Sequence, residues 1–152
     1  MSNIELYKEM ILKNSQSPLN KNKILNFTHT SKGNNPLCGD SVELFANIKD
    51  KKIYEISFLG DGCAISIASA SVLTQILKGK TIEQSYELIQ MFNQMIESNI
   101  PFQEIKYLNN KHFELIKSFE SISNFPMRRK CATLSWLTLD SALNKKKNIK
   151  LT

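Results

Sequence analysis

The chain has 152 residues, the size of one domain, and is 41% hydrophobic and 22% charged with 5 Gly and 4 Pro, which excludes a disordered, collagen-like or low-complexity protein. No apolar run approaches the roughly 18 residues of a membrane span, and residues 1–10 lack a basic-then-apolar leader, so a cytoplasmic protein with no membrane partner is expected. Much of the net charge of +6 comes from Lys145, Lys146, Lys147 and Lys150 in the last eight residues; without them 16 basic residues face 14 acidic ones. With no zinc-finger spacing, aromatic ribonucleoprotein motif or basic GxxG clamp, nucleic acid is not an expected partner.

Residues 3–13 place Ile4, Tyr7, Ile11 and Leu12 at amphipathic spacing, predicting a helix with Ser2 as its cap. A polar stretch with Pro18 ends it, and residues 24–29 read as a short strand. Residues 31–40 (SKGNNPLCGD) are dense in turn formers and read as a loop. Period-two alternation then runs through Val42, Leu44, Ala46 and Ile48, and again through Tyr54, Ile56 and Phe58, on either side of the tetrapeptide at 49–52. This predicts an antiparallel hairpin. After the Gly60-Asp61-Gly62 stop, Ile65, Ala68, Val72, Leu73 and Ile76 predict a helix to Lys78 closed by Gly79. Thr81 and Gln84 form a capping box for the next helix, through Ile89, Phe92 and Ile96. Residues 98–126 predict one short helix around 112–119 between loops. Pro126 opens a last helix carrying Leu134, Leu137 and Leu143, and the basic tail at 144–152 reads as a solvated helix end. The expected fold is α+β, a small antiparallel sheet with helices packed on one face.

Three cysteines and no leader argue against a disulfide framework, leaving buried hydrophobes, metal ligands or reactive thiols. Hairpin geometry narrows the choice. With the tip centred between Asp50 and Lys51, Cys38 and Cys63 face each other at the open end, where opposed Cβ atoms lie about 4.5–5.5 Å apart. Cys63 and Cys131 also sit near helix N-termini, which favour thiolate. Asp40, two residues from Cys38, can turn to the same side, so Cys38, Asp40, Cys63 and Cys131 make a tetrahedral zinc set; the competing reading of Asp40 is a turn-forming side chain. Such a site carries formal charge −2, and Arg128, Arg129 and Lys130 just before Cys131 either offset it or form a solvated turn. His29 reads as a surface or strand-end residue, His112 as a helix start, and Trp136 as core or interface.

These segments, Asn35-Pro36-Leu37-Cys38-Gly39-Asp40, Gly60-Asp61-Gly62-Cys63-Ala64-Ile65-Ser66 and Lys130-Cys131-Ala132-Thr133-Leu134-Ser135-Trp136, resemble those of the SufU proteins of the IscU/NifU-like superfamily. Lys130 stands where scaffold-type IscU proteins carry a His, Arg128 matches an arginine of the SufU branch, and residues of about 98–124 resemble the SufU-type insertion within a single domain spanning 1–152. The resemblance implies a zinc-dependent sulfurtransferase with an IscU/SufU-like fold. Cys38 and Arg128 would be its catalytic residues, and Zn2+ its cofactor, held by Cys38, Asp40, Cys63 and Cys131. Its partner would be a pyridoxal-phosphate-dependent cysteine desulfurase of the SufS type, with iron–sulfur scaffold proteins downstream. The rival implication is an IscU-type scaffold that assembles a [2Fe–2S] cluster on the same four residues.

Overall fold

The computed structural model describes residues 3–151, so the expected Ser2 cap lies outside the described residues, as does the side chain of Ile4. Helix α1 (Asn3–Gln16) precedes three antiparallel strands, β1 (His29–Asn35), β2 (Asp40–Lys49) and β3 (Lys52–Asp61). Four helices follow, α2 (Ala64–Leu77), α3 (Ile82–Ser98), α4 (Asn110–Lys117) and α5 (Pro126–Leu143), before a short final strand β4 (Asn148–Lys150). The sheet order is β3-β2-β1-β4, with β4 parallel to β1. The fold is α+β, and the sheet is mixed rather than purely antiparallel. No helix among the described residues is long and apolar enough to cross a membrane.

The strongly periodic segments fold as expected. Thr81 Oγ1 accepts from the Gln84 backbone N–H and Gln84 Oε1 accepts from the Thr81 N–H, both at 3.0 Å, a reciprocal cap that satisfies two otherwise orphaned donors. Pro126 is in the first turn of α5, where its missing N–H costs nothing. Asp50 and Lys51 at the hairpin tip have φ of 52° and 61°, the backbone that a two-residue hairpin turn requires. Helix α5 packs on β1 and β2, α2 packs on β3, and α3 lies against α5. Trp136 belongs to the core. It is fully buried, stacks on Phe92 at 4.2 Å between centroids and donates its Nε1–H to Ser69 Oγ at 3.0 Å.

Four expectations need correction. The strand expected at 24–29 lies at His29–Asn35 instead, inside the segment read as a loop. Its composition is turn-like, but β2 supplies a ladder partner for each of its residues, and tertiary pairing outweighs local preference. Gly33 is part of the reason: a Cβ there would overlap the Thr138 hydroxyl and crowd Leu134, so the glycine lets α5 lie directly on the strand. The basic tail is not a helix end; after Asn144 it turns back and pairs with Lys32, Gly33 and Asn34. Residues 98–126 hold a 3-10 turn at Glu120–Asn124 in addition to the expected short helix. Finally, the hairpin register shifts between Asn47 and Ile48, because Tyr54 is an extra residue on β3, a bulge. Toward the open end the pairing runs one residue out from the tip's register, with Ser41 opposite Asp61.

The segment between α1 and β1 covers the other sheet face. Its Asn20 carbonyl accepts from the Phe58 N–H at 3.0 Å on the β3 edge, and Phe27 packs on Phe45 at 5.3 Å between centroids. This cover buries Phe45 and Ser57 on the face away from the helices.

Candidate metal centre

The open end of the hairpin is where three chain segments converge. The β1–β2 turn carries Cys38, with Gly39 at φ +68°, a left-handed conformation suited to glycine. The first residue of β2 is Asp40, and the β3-to-α2 junction presents Cys63 as the residue that caps α2. Helix α5 brings Cys131 in its second turn, fully buried, whereas Cys38 and Cys63 are half-buried.

The ligand-capable atoms of Cys38, Asp40 and Cys131 all lie within 4.8 Å of one another. The Cys63 thiol is outside that mutually close set but lies near enough to the Cys131 thiol for the two to shift each other's acidity. All four expected residues therefore meet at one end of the sheet, three as a tight group and the fourth against one member of it. The one-residue register shift does not separate Cys63, because its backbone N–H donates to Asp40 Oδ1 at 2.9 Å and ties the junction to β2.

Buried Asp40 is anchored on both oxygens: Oδ1 by Cys63, and Oδ2 by the Asn35 amide at 3.2 Å. Asn35 also donates to Cys131 Sγ at 3.8 Å. Gly62 makes this possible, since a Cβ at that position would collide with the Asp40 carboxylate. Gly62→Ala is accordingly expected to reduce metal affinity at least about tenfold, the effect of disturbing a group that orients a ligand, with a smaller change in thermal stability. Chelator-competition titration beside a melting curve checks this.

The thiols divide one proton unequally. The neighbouring Cys131 thiol draws Cys63 below the ordinary thiol range against the opposing effect of burial, helped by the N-terminus of α2 around Ser66 and Ile65. The Cys63 thiol beside it, and burial, push Cys131 upward. A metal entering here must expel the proton that Cys131 holds, so binding weakens as pH falls. The exposed Arg128 guanidinium faces these sulfurs, Cys63 and Cys131 foremost, and is held more firmly protonated by them. Arg129 is committed elsewhere, its Nε and terminal nitrogen donating to the Ser123 carbonyl at 2.8 Å and 2.6 Å.

Sequence reasoning did not single out Asn35 or Tyr7. Tyr7 reads as part of the apolar face of α1, yet with Ile11, Ile65, Phe125, Arg128 and Cys63 it lines a cleft of about 450 Å³ beside the thiols. Leu37 and Met127 are exposed in the segments that carry Cys38 and Cys131. Lys150 of β4 lines a second cleft with Asn35 and Asp40, so the refolded tail brings a cation to the site. Neither histidine joins the cluster: His29 contacts Thr28, and His112 lies at the start of α4.

The donor set fits zinc. Thiolate and carboxylate together suit a borderline ion, and tetrahedral bonds of about 2.3 Å to sulfur and 2.0–2.2 Å to oxygen hold ligand atoms at spacings within the 4.8 Å limit of the observed group.

Comparison with known proteins agrees with this geometry. Residues 6–132 match the family described as NifU-like N terminal domain. The chain is 35% identical over 140 residues to the zinc-dependent sulfurtransferase SufU of Bacillus subtilis strain 168, a match covering 92% of this chain and 90% of that protein. It is 33% identical over 140 residues to the iron–sulfur cluster assembly scaffold protein IscU of Thermotoga maritima, covering 92% and 94%. The solved structure of FiSufU, described as an iron–sulfur cluster assembly scaffold protein for the SUF system of Fervidobacterium islandicum AW-1, superposes with a TM-score of 0.78 at 32% identity, covering 93% of this chain and 99% of that one. With a family match over most of its length and relatives of this similarity along nearly all of it, the chain belongs to the NifU-like N-terminal domain family of iron–sulfur cluster assembly, alongside the SufU and IscU proteins.

Proposed function

We propose that this protein is a zinc-dependent sulfurtransferase that accepts persulfide sulfur from a pyridoxal-phosphate-dependent cysteine desulfurase and passes it toward iron–sulfur cluster assembly. The observation that carries this reading is the close grouping of Cys38, Asp40 and Cys131 with Cys63 against Cys131, in a chain similar to the zinc-dependent sulfurtransferase SufU.

Cys38, Asp40, Cys63 and Cys131 would hold the ion, whose contribution when bound is to keep thiolates available at neutral pH, where a free thiol of pKa about 8.5 is only a few percent ionised. Cys38 is the arm that accepts cargo. It lies on a turn, is half-buried, and its thiol reaches the Met127 carbonyl at 3.7 Å. Its thiolate attacks the outer sulfur of the donor's persulfide. A new S–S bond forms on Cys38, the donor's S–S bond breaks, and the donor cysteine leaves as a thiolate. Arg128, exposed beside the sulfurs, offsets negative charge as the anionic groups approach. The exposed Leu37, Phe125 and Met127 around the site offer apolar contact to the docking donor.

The test is mass spectrometry after incubation with a matching desulfurase and cysteine. One added sulfur atom mapped to Cys38 is expected; sulfur found only on Cys63 or Cys131 overturns the assignment. Similarity to the Thermotoga IscU scaffold favours a second reading, in which the same residues assemble a [2Fe–2S] cluster. Anaerobic reconstitution with iron and sulfide separates the two, because a stable, transferable cluster absorbance supports the scaffold and its absence supports transfer.

A further inference from the structure

The proposed transfer needs one of three chemically identical thiolates to leave the set while the other two stay. We propose that Asn35 is a positioning residue that makes this choice, by hydrogen bonding Cys131 and Asp40 so that Cys38 is the ligand left free to depart. The inference rests on the sulfurtransferase reading and adds a residue to it.

Asn35 closes β1 with 1% of its surface exposed. Its amide nitrogen reaches Asp40 Oδ2 at 3.2 Å and Cys131 Sγ at 3.8 Å, while its Oδ1 is buried without a partner. The amide orientation follows from its neighbours: reversed, it would set a carbonyl oxygen against a carboxylate and a sulfur, so the N–H side must face them. Leaving a buried carbonyl unsatisfied is unfavourable, and what offsets it is a donor serving two candidate ligands at once.

The three sulfurs then differ in what faces them. Cys131 receives the Asn35 amide at 3.8 Å and stands in the field of the exposed Arg128 guanidinium. Cys63 caps the N-terminus of α2 without a side-chain cap hydrogen bond, where the helix dipole favours its thiolate. Cys38 faces the Met127 carbonyl at 3.7 Å, to which a thiol can donate but which repels a thiolate. Arg128 acts on Cys63 and Cys131 ahead of Cys38. A charge-assisted N–H bond, for Cys131, and a helix N-terminus, for Cys63, each stabilise a thiolate and lower its nucleophilicity, so both are held and Cys38 is the most reactive.

The zinc-loaded protein is treated with a limiting amount of iodoacetamide and the first label is mapped. In the wild type it is expected on Cys38. In Asn35→Ala and the near-isosteric Asn35→Leu, the share on Cys131 is expected to rise about tenfold, the weight of one charge-assisted hydrogen bond. An unchanged ratio in variants that hold zinc overturns the proposal; simple loosening of the fold would raise labelling of all three cysteines together. A second measurement needs no variant. With cadmium-113 in the wild-type site, the Asn35 side-chain amide protons are expected to show scalar coupling to the metal through Cys131, and its absence also overturns the proposal. No persulfide on any of the three cysteines would sink the transfer reading, while the cadmium coupling would still report on Asn35 by itself.

Discussion

Cys38→Ser is expected to lower sulfur acceptance by at least about a thousandfold, the scale of loss that follows removal of a covalent nucleophile, while the protein stays folded. The side chain is half-buried on a turn, and its thiol contact is a carbonyl oxygen that a serine hydroxyl can satisfy equally well. Measured in strong chelator, the variant's melting temperature should therefore match that of the metal-free wild type, and with zinc it should fall only as far as the lost ligand weakens the metal. Calorimetry and persulfide mass spectrometry on the same sample check both halves. A purely structural zinc module would instead lose melting temperature in step with activity, and a Cys38→Ser protein that still accepts sulfur at the wild-type level would remove Cys38 from the mechanism.

Asp40→Ala is expected to act on both metal and fold. The carboxylate is buried and accepts from the Cys63 N–H at 2.9 Å and the Asn35 amide at 3.2 Å. Truncation leaves a buried Asn35 N–H without this acceptor, costing about 1–3 kcal/mol, and a part-buried Cys63 N–H, costing less. It also removes a ligand, and zinc affinity should fall by more than about a hundredfold, beyond what losing an outer-sphere partner costs. Because binding to the folded state alone stabilises it, a strong chelator should lower the wild-type melting temperature and leave that of the variant almost unchanged. Asp40→Asn, which keeps an acceptor for the Cys63 N–H, should recover part of the stability and little of the affinity. Tight zinc binding by Asp40→Ala would show that the carboxylate is a turn-former only.

The elements legible in the sequence are those whose own periodicity decides them. Helices α2, α3 and α5 and the β2–β3 hairpin carry unbroken apolar spacing, and Thr81 and Gln84 mark a boundary chemically. Strand β1 is different. Its residues read as a turn, and it is a strand because β2 pairs with it and α5 needs Gly33 at that place, neither of which is local information. Strand β4 has three residues and exists through its pairing with β1. The bulge at Asn47 and Ile48 likewise leaves no mark on the alternation.

Around the site the same division holds. Cys38, Asp40, Cys63 and Cys131 stand out by residue type and by their turn and helix-start settings, and the chain brings them to one end of the sheet. Asn35 is hidden because an asparagine before proline in a turn-rich stretch has a sufficient local explanation. Its contact with Cys131 joins residues 96 positions apart. Tyr7 is hidden in the same way, as one apolar position among several on α1.

Zinc K-edge X-ray absorption on the purified protein examines the donor set itself. One zinc per chain is expected, with three sulfurs at about 2.3 Å and one oxygen at about 2.0–2.2 Å. A first shell lacking the third sulfur or the oxygen, or a site filled by iron with a short metal–metal distance, would contradict the account.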